Sequence, residues 1–149
     1  MKKSKLALIS ILLCTVFNAY SQSNSEFIII DEIADNADQL ISEFSNQSNV
    51  YVTDGITPNA LGQIHNSVEN LQIDDLHIYV LTKPGAIVFN SIAITVDNIN
   101  DWSADLKTLS GVVKNKVVIH SEVVFTGEEG VLLKEHLEEI TGLLFTTQN

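Results

Sequence analysis

Short apolar runs alternate with helix-period segments along most of this chain. Runs such as "FIIID" (27–31) and "KVVIHS" (116–121) are continuous, as in strands that are buried on both faces. Between them apolar residues recur at helical spacing, for example Leu40, Ile41 and Phe44. Strands that alternate with helices predict a parallel sheet with right-handed crossovers and helices on both sides.

The same pattern gives the approximate extent of each element. Strands are predicted near 27–31, 49–54, 74–81, 116–121 and 143–147, and helices near 34–45, 57–71, 96–111 and 126–142. Thr57 is predicted to cap the second helix with Pro58 in its first turn, and Gly142 to end the last. Thr126 and Glu129 suggest a capping box, followed by apolar positions at Val131, Leu132, Leu137 and Ile140.

The alternation breaks after the third strand. Residues 86–95, "AIVFNSIAIT", predict a small β-hairpin with a two-residue turn at Asn90-Ser91. The predicted fold class is therefore α/β, a three-layer sandwich with a mainly parallel sheet and a hairpin after the third strand. Its most apolar strand positions, which should be buried, are Leu76, Ile78, Val80, Val117 and Ile119.

The first 21 residues have the three zones of a secretory signal. Three lysines precede the apolar run Leu6–Phe17, which is short for a bilayer span, and Ala19-Tyr20-Ser21 offers small residues at the cleavage positions. Cys14 lies inside the apolar run after Leu13, which argues against lipidation. We expect cleavage before Gln22, export to the periplasm or the extracellular space, no membrane span after cleavage, and a single domain over residues 22–149.

Charge and cysteine content exclude several classes of function. The chain has 8 basic and 19 acidic residues; without Lys2, Lys3 and Lys5 it keeps five lysines and no arginine, a net charge of −14. Binding to nucleic acid or to an anionic membrane surface is therefore not expected. Cys14 is the single cysteine, so the part after the signal has no disulfide, no catalytic thiol and no cysteine metal site.

Several strings resemble one family in the same order along the chain. "FIIID", "GQIHNSVENLQIDDLHIYV", "KPGAIVF", "VVIHSEVVFTGEEG" and "LEEITGLLFTT" are similar to the bacterial domain of unknown function 4347. That family is caspase-like and gingipain-like and is found in large secreted proteins. The resemblance covers residues 27–147 and implies a caspase-like sandwich.

In that family the third strand ends in Ser-His-Gly and the fourth in Gly-Cys-Asn, which resemble the His and Cys of thiol peptidases. At the matching positions this chain has Val80-Leu81-Thr82 and Ser121-Glu122-Val123. Leu81 would replace the His and Glu122 the Cys. The resemblance thus implies a degenerate member without thiol chemistry, in which both residues follow adjacent strands at one edge of the sheet.

An altered hydrolase is the alternative, with Ser121 or Thr82 as the hydroxyl and His120 or another His as the base. Neighbours on a strand point to opposite faces, so His120 is poorly placed to activate Ser121. The chain also lacks a Gly-x-Ser-x-Gly elbow. His77 is interpreted as a core residue hydrogen-bonded to a neighbour.

No cofactor or metal is expected. A metal site would need His77, His120 and a carboxylate to converge, and no spacing in the sequence supports this. His65 and His136 are interpreted as surface residues of helices. "DNIND" (97–101) has Ile99 where a calcium loop needs an oxygen ligand, and "GEEG" (127–130) is too acidic for a phosphate.

These observations favour an exported, non-catalytic binding or interaction module over an enzyme. Its partner would be a protein or a cell-surface component. A hydrolase should instead show a buried, perturbed imidazole within reach of a hydroxyl.

Overall fold

The computed structural model describes residues 24–57, 59–90 and 92–149. The expected signal segment, residues 1–21, lies outside this part of the chain. Eight strands are described: β1 (Asn24–Asp31), β2 (Val50–Thr53), β3 (Ile73–Tyr79), β4 (Leu81–Lys83), β5 (Ala86–Val88), β6 (Ala93–Thr95), β7 (Val113–His120) and β8 (Leu144–Gln148). The α-helices are α1 (Ala37–Phe44), α2 (Ala60–Val68), α3 (Ser103–Leu109) and α4 (Gly127–Thr141), and a 3-10 turn at Ile99–Trp102 leads into α3.

Five of the strands form one parallel sheet. Their order is β2-β1-β3-β7-β8, and every neighbouring pair is parallel. Beside it, β4, β5 and β6 form a three-stranded antiparallel sheet. The predicted α/β class with a mainly parallel sheet is confirmed.

Helices cover both faces of the parallel sheet, which makes three layers. On one face, Ile28 and Ile30 of β1 pack with Ala37 and with half-buried apolar residues of α1. On the other, alternate residues of β1, β3 and β7 form the larger core with α2, α3 and α4. This division follows from the strand order: β2 lies on one side of β1 and all later strands on the other, so right-handed crossovers put α1 on its own face.

The expected core residues are buried as predicted. Leu76, Ile78, Val80, Val117 and Ile119 are all 5% exposed or less. They alternate along β3 and β7 and meet side by side in the register Leu76–Val117 and Ile78–Ile119. Fully burying one such aliphatic side chain contributes about 1.5–3 kcal/mol, so these paired strands form the centre of the larger core.

The segment after β3 is more regular than the sequence indicated. Leu81–Lys83 forms a strand, β4, which pairs with β5 across a turn at Pro84-Gly85. Gly85 has a φ of 70°, a left-handed conformation that favours glycine. The structure thus has a three-stranded meander where the sequence predicted a two-stranded hairpin. Phe89 N–H donates to the carbonyl of Ile92 across the second turn, and Ser91 lies outside the described residues.

The predicted start of α2 is wrong in detail. The N-cap of α2 is Asn59, whose side chain accepts a hydrogen bond from Gly62 N–H, and not Thr57. Thr57 instead donates its N–H to Asp54, which also accepts from Ile56 N–H. Asp54 therefore accepts the hydrogen bond of Thr57 N–H within the loop, before the helix begins. Pro58 lies outside the described residues.

The capping box predicted for α4 does not form. Thr126 is the N-cap residue, but its hydroxyl donates to the carbonyl of Val123 and caps nothing in the helix. The core-facing side chains of α4 are Leu133 and Leu137, whereas Val131 and Leu132 are 50% and 38% exposed. Gly142 ends the helix, as predicted, with a φ of 69°. Within the described residues no helix has the length and hydropathy needed to cross a membrane.

Candidate functional site

A cleft of about 510 Å³ opens at the carboxyl edge of the parallel sheet. It lies between the start of α1 and the ends of β3, β7 and β8. The chain leaves β1 toward one face of the sheet and β3 toward the other, and such a switch point is where open α/β sheets bind ligands. The lining residues are Ala34, Asp35, Asn36, Gln39, Leu40, Tyr79, Val80, Thr82, His120, Ser121, Glu122, Val123, Gln148 and Asn149.

Leu81 and Glu122 follow adjacent strands at this edge. Tyr79 is paired with His120, and each of the two residues lies two positions further along its chain. Leu81 is half-buried and pairs with Val88 in the meander, whereas Glu122 is exposed and lines the cleft. Neither side chain can act as an imidazole base or as a thiol.

The Ser121 hydroxyl accepts hydrogen bonds from the backbone that follows it. Ser121 is 8% exposed, and its Oγ accepts hydrogen bonds from Val123 N–H and Val124 N–H at 3.1 and 3.0 Å. The Thr82 hydroxyl lies 2.7 Å from the same oxygen. The two hydroxyls named in the hydrolase hypothesis are thus brought together, and Ser121 acts there as an acceptor that shapes the turn after β7.

The imidazole of His120 is directed away from these hydroxyls. His120 Nε2 lies 3.0 Å from His77 Nδ1, and the His120 ring is stacked on Tyr79 with centroids 3.8 Å apart. Tyr79 in turn contacts Phe44 of α1. This places His77, Tyr79 and His120 on the face of the sheet that carries α1. No described contact joins an imidazole to Ser121 or Thr82, so the base–hydroxyl pair that the alternative hydrolase would need is not seen among the described residues.

Burial and the neighbouring His77 lower the pKa of His120 from 6.5 to about 4. The geometry also indicates the tautomer. His77 Nε2 is buried and has no hydrogen-bond partner among the described residues. A buried N–H without an acceptor is costly, so the proton of His77 belongs on Nδ1, from which it is donated to His120 Nε2. Protonation of His120 at Nε2 would break that bond.

A buried carboxylate connects three elements beside the cleft. Asp31 is 1% exposed and ends β1. It accepts hydrogen bonds from Thr53 Oγ1 of β2 at 2.6 Å, and from Ile33 N–H and Asn90 N–H at 3.2 Å each. It therefore joins β1, β2 and the meander. All three hydrogen bonds hold the fold together, and none leaves the carboxylate directed at the cleft.

The histidines on helices are less exposed than expected. His65 and His136 are both half-buried, and His65 Nδ1 is enclosed without a partner in the described part of the chain. No group of three or more His, Cys, Asp or Glu residues within the described ranges is arranged to hold a metal ion. His77 and His120 converge, as the sequence analysis required of a metal site, but a carboxylate does not join them.

The chain matches one known protein family over most of its length. The profile described as Domain of unknown function (DUF4347) matches residues 27–149, which is most of the chain. The chain belongs to this family. No curated protein and no solved structure matches it significantly.

Membership in the DUF4347 family names no activity, and the cleft is the feature of this DUF4347 domain that indicates a function. The sequence analysis singled out four of its lining residues: Thr82, His120, Ser121 and Glu122. It missed Asp35 and Tyr79, which also line the cleft. The alternation that puts His77 and Tyr79 on one face of β3 was visible in the sequence, whereas Asp35 is an ordinary loop residue that only the fold brings to the cleft.

Proposed function

We propose that this DUF4347 domain is an exported, non-catalytic binding module of caspase-like architecture. Its cleft at the carboxyl edge of the sheet would bind a positively charged segment of a partner protein. The observation that carries this proposal is the composition of the cleft, in which two carboxylates lie among apolar and neutral polar side chains.

The charge of the cleft favours a cationic ligand. Among the described lining residues the charged side chains are Asp35 and Glu122, with no lysine. The whole chain has a net charge of −11, so its long-range field also attracts cations. Asn36, Gln39 and Gln148 add hydrogen-bonding groups that suit the backbone of a peptide.

The apolar part of the cleft lining favours a protein segment over a free small cation. Leu40, Tyr79, Val80 and Val123 contribute apolar surface among the polar groups. A lysine side chain combines a methylene stem with a charged head, which matches a lining that has both apolar side chains and carboxylates. The cleft is of the size that commonly holds an organic ligand.

The hydrogen bonds of the two described cleft hydroxyls support the non-catalytic part of the proposal. Ser121 Oγ accepts two backbone N–H bonds, and a serine used in this way has its lone pairs occupied. His120, the nearest imidazole in sequence, faces His77. A general base must lie within hydrogen-bond reach of the proton it removes, and neither hydroxyl has such a base among its described contacts.

The alternative hydrolase has one observation in its favour, the 2.7 Å contact between Thr82 and Ser121 at the cleft. It would need His120 to turn away from His77 and Tyr79 and to cross to the other face of the sheet. Export is supported by the sequence of residues 1–21 and is part of the same proposal.

Binding is tested by fluorescence anisotropy of the purified protein with a labelled lysine-rich peptide and an acidic peptide of equal length. We expect binding to the basic peptide that weakens with salt. Asp35→Asn combined with Glu122→Gln should weaken it about two- to thirtyfold, since each of the two exposed ion pairs contributes about 0.2–1 kcal/mol.

Glu135→Gln is the matched control, because Glu135 is exposed on α4 and does not line the cleft. Equal affinity for both peptides, or a double variant no weaker than the control, would contradict the proposed ligand. Cleavage of either peptide that is lost in Ser121→Ala would instead support the hydrolase.

A further inference from the structure

We propose that the basic segment of the partner binds as an added β-strand along the outer edge of β8, beside the cleft. This mode of binding rests on the proposed function, to which it adds the backbone conformation of the partner segment. Strand addition to an open sheet edge takes its affinity from main-chain hydrogen bonds and its specificity from alternate side chains.

The strand β8 lies at one end of the parallel sheet. It is hydrogen-bonded to β7 on one side, and no described strand pairs with its other side. Its sequence, LFTTQ, contains no charged residue and no proline, which are residues that proteins use to block an exposed edge. The outer side of β8 therefore presents backbone groups to which another strand can bond.

Two hydrogen bonds show which backbone groups of β8 point outward. Ser121 N–H donates to the carbonyl of Gln148, so the backbone of Gln148 is directed at β7. Because these directions alternate along a strand, the N–H and C=O groups of Phe145 and Thr147 point to the outer edge. Phe145 N–H does so, since it donates to Glu138 Oε1 of α4 at 2.9 Å.

Glu138 limits the part of β8 with which a partner can pair. Its carboxylate occupies the outward N–H of Phe145, and Lys134 Nζ holds the same oxygen at 2.7 Å. Thr147 is exposed, and no described group accepts a hydrogen bond from its outward N–H. An added strand would therefore pair at Thr147, in the half of β8 that is next to the cleft.

The position of this edge explains the preference for a basic segment. Gln148 pairs with His120, lies on the α1 face and lines the cleft. Residues that are side by side in neighbouring strands lie on the same face, so the partner residue beside Gln148 would also be on the α1 face. A lysine there would extend across Gln148 toward Glu122 and Asp35, the charged residues of the described cleft lining. The partner segment is thus extended, with basic residues at alternate positions.

The opposite edge of the sheet provides a matched control. The strand β2 lies at that end and contributes none of the described cleft residues. Ile28 N–H donates to the carbonyl of Asn49, so by the same alternation the N–H of Val52 points outward from β2. A segment that binds beside the cleft should leave Val52 unaffected.

The first test compares a short peptide of alternating lysine and threonine with two N-methylated forms, one methylated at every lysine and one at every threonine. In an added strand only alternate N–H groups face β8. One form should therefore bind about tenfold or more weakly than the other, since it loses more than one backbone hydrogen bond. Equal affinity of the two forms would overturn strand addition.

The second test is amide hydrogen exchange of the protein, measured by NMR with the unmodified peptide. With free peptide at about ten times its Kd, exchange at Thr147 should slow about tenfold, and exchange at Val52 should not change. Thr147→Pro removes the outward N–H and should weaken binding about two- to twelvefold, the contribution of one net hydrogen bond. Val52→Pro is the control and should bind as the parent does.

The outcomes separate this inference from the proposed function. Unchanged exchange at Thr147, or equal losses in the two proline variants, would overturn strand addition. If the peptide still binds and the binding still depends on Asp35 and Glu122, the proposed function stands. Failure of the unmodified peptide to bind at all would refute both. If a proline variant does not fold, exchange at Thr147 in the parent protein still decides.

Discussion

Replacing Asp31 by alanine tests whether one buried carboxylate holds β1, β2 and the meander together. The substitution removes three hydrogen bonds, from Thr53 Oγ1, Ile33 N–H and Asn90 N–H. A hydrogen bond to a charged group contributes about 1.5–3 kcal/mol, and the Thr53 hydroxyl would be left buried without its acceptor. At the lower end of that range the three bonds give a loss of about 4.5 kcal/mol in the free energy of unfolding.

Urea denaturation followed by circular dichroism measures this loss. With a slope of about 2 kcal/mol/M, a loss of about 4.5 kcal/mol lowers the midpoint by about 2 M. Asp38→Ala is the matched control, because Asp38 is an exposed residue in the first turn of α1, and it should change stability by about 0.5 kcal/mol or less. Asp31→Asn, which keeps the shape and can still bond to Thr53, should lose less than Asp31→Ala.

A double-mutant cycle with Thr53→Val isolates the strongest of the three contacts. Thr53 donates to Asp31 at 2.6 Å, and both side chains are buried. We expect a coupling energy of about 1–3 kcal/mol, in the range measured for residues in direct contact. A total loss below about 1 kcal/mol for Asp31→Ala, or a coupling energy near zero, would refute the role assigned to this carboxylate.

Three further predictions concern the site and its supports. The pKa of His120 is about 4 in the folded protein, against 6.5 for an ordinary histidine. As the pH falls, His120 is therefore protonated in the unfolded chain before it is protonated in the folded protein. Stability should therefore fall by about 1–2 kcal/mol as the pH drops from 6.5 to 4, after allowance for the partial exposure of the ring. Urea midpoints with a chelator present would show this, and His120→Gln should remove that part of the slope. Ser121→Ala should cost about 1–3 kcal/mol because two backbone N–H groups lose their acceptor, and thermal unfolding measures it; an unchanged melting temperature would contradict the structural role. Gly130→Ala should destabilise by about 1–3 kcal/mol despite better helix propensity, because an added Cβ would lie 2.6–2.9 Å from the backbone of Val124 and Phe125. Gly111→Ala is its control, since the nearest atom there is 3.5 Å away, and equal losses would refute the steric argument.

The order of the main elements could be predicted from hydrophobic pattern alone. A strand buried on both faces needs an uninterrupted apolar run, and Ile28–Ile30 and Val117–Ile119 have one. The strand β4 could not be predicted in this way, because Leu81-Thr82-Lys83 is short and its pairing with β5 depends on the tight turn at Gly85. Short strands are specified by their partners more than by their own composition.

Helix ends and helix faces were harder to predict for a related reason. Thr57 and Asn59 are both good capping residues, and the choice between them follows from the Asp54 loop, which binds Thr57 first. In α4 the apolar residues Val131, Leu132 and Leu133 are consecutive. Only the position of the helix over the sheet decides that Leu133 is buried and its two neighbours are exposed.

The candidate site depends on contacts between residues far apart in sequence. His77 and His120 are 43 positions apart, and they meet because β3 and β7 are adjacent in a register that places Tyr79 opposite His120. Strand alternation did predict that His120 and Ser121 would face opposite ways. It could not show that the Ser121 hydroxyl is an acceptor for the following turn, since that requires the backbone course of Ser121–Val124.

The most direct test of the proposed binding function is an NMR titration of the isotopically labelled protein with the lysine-rich peptide. The amide signals of Asp35, Gln39 and Glu122 should shift together in a saturable manner, while signals of the opposite sheet face, such as Leu133 and Leu109, stay in place. The peptide should be recovered uncleaved at the end of the titration. Shifts centred away from the cleft, no saturable shift at all, or a cleaved peptide would contradict a non-catalytic domain that binds basic segments in this cleft.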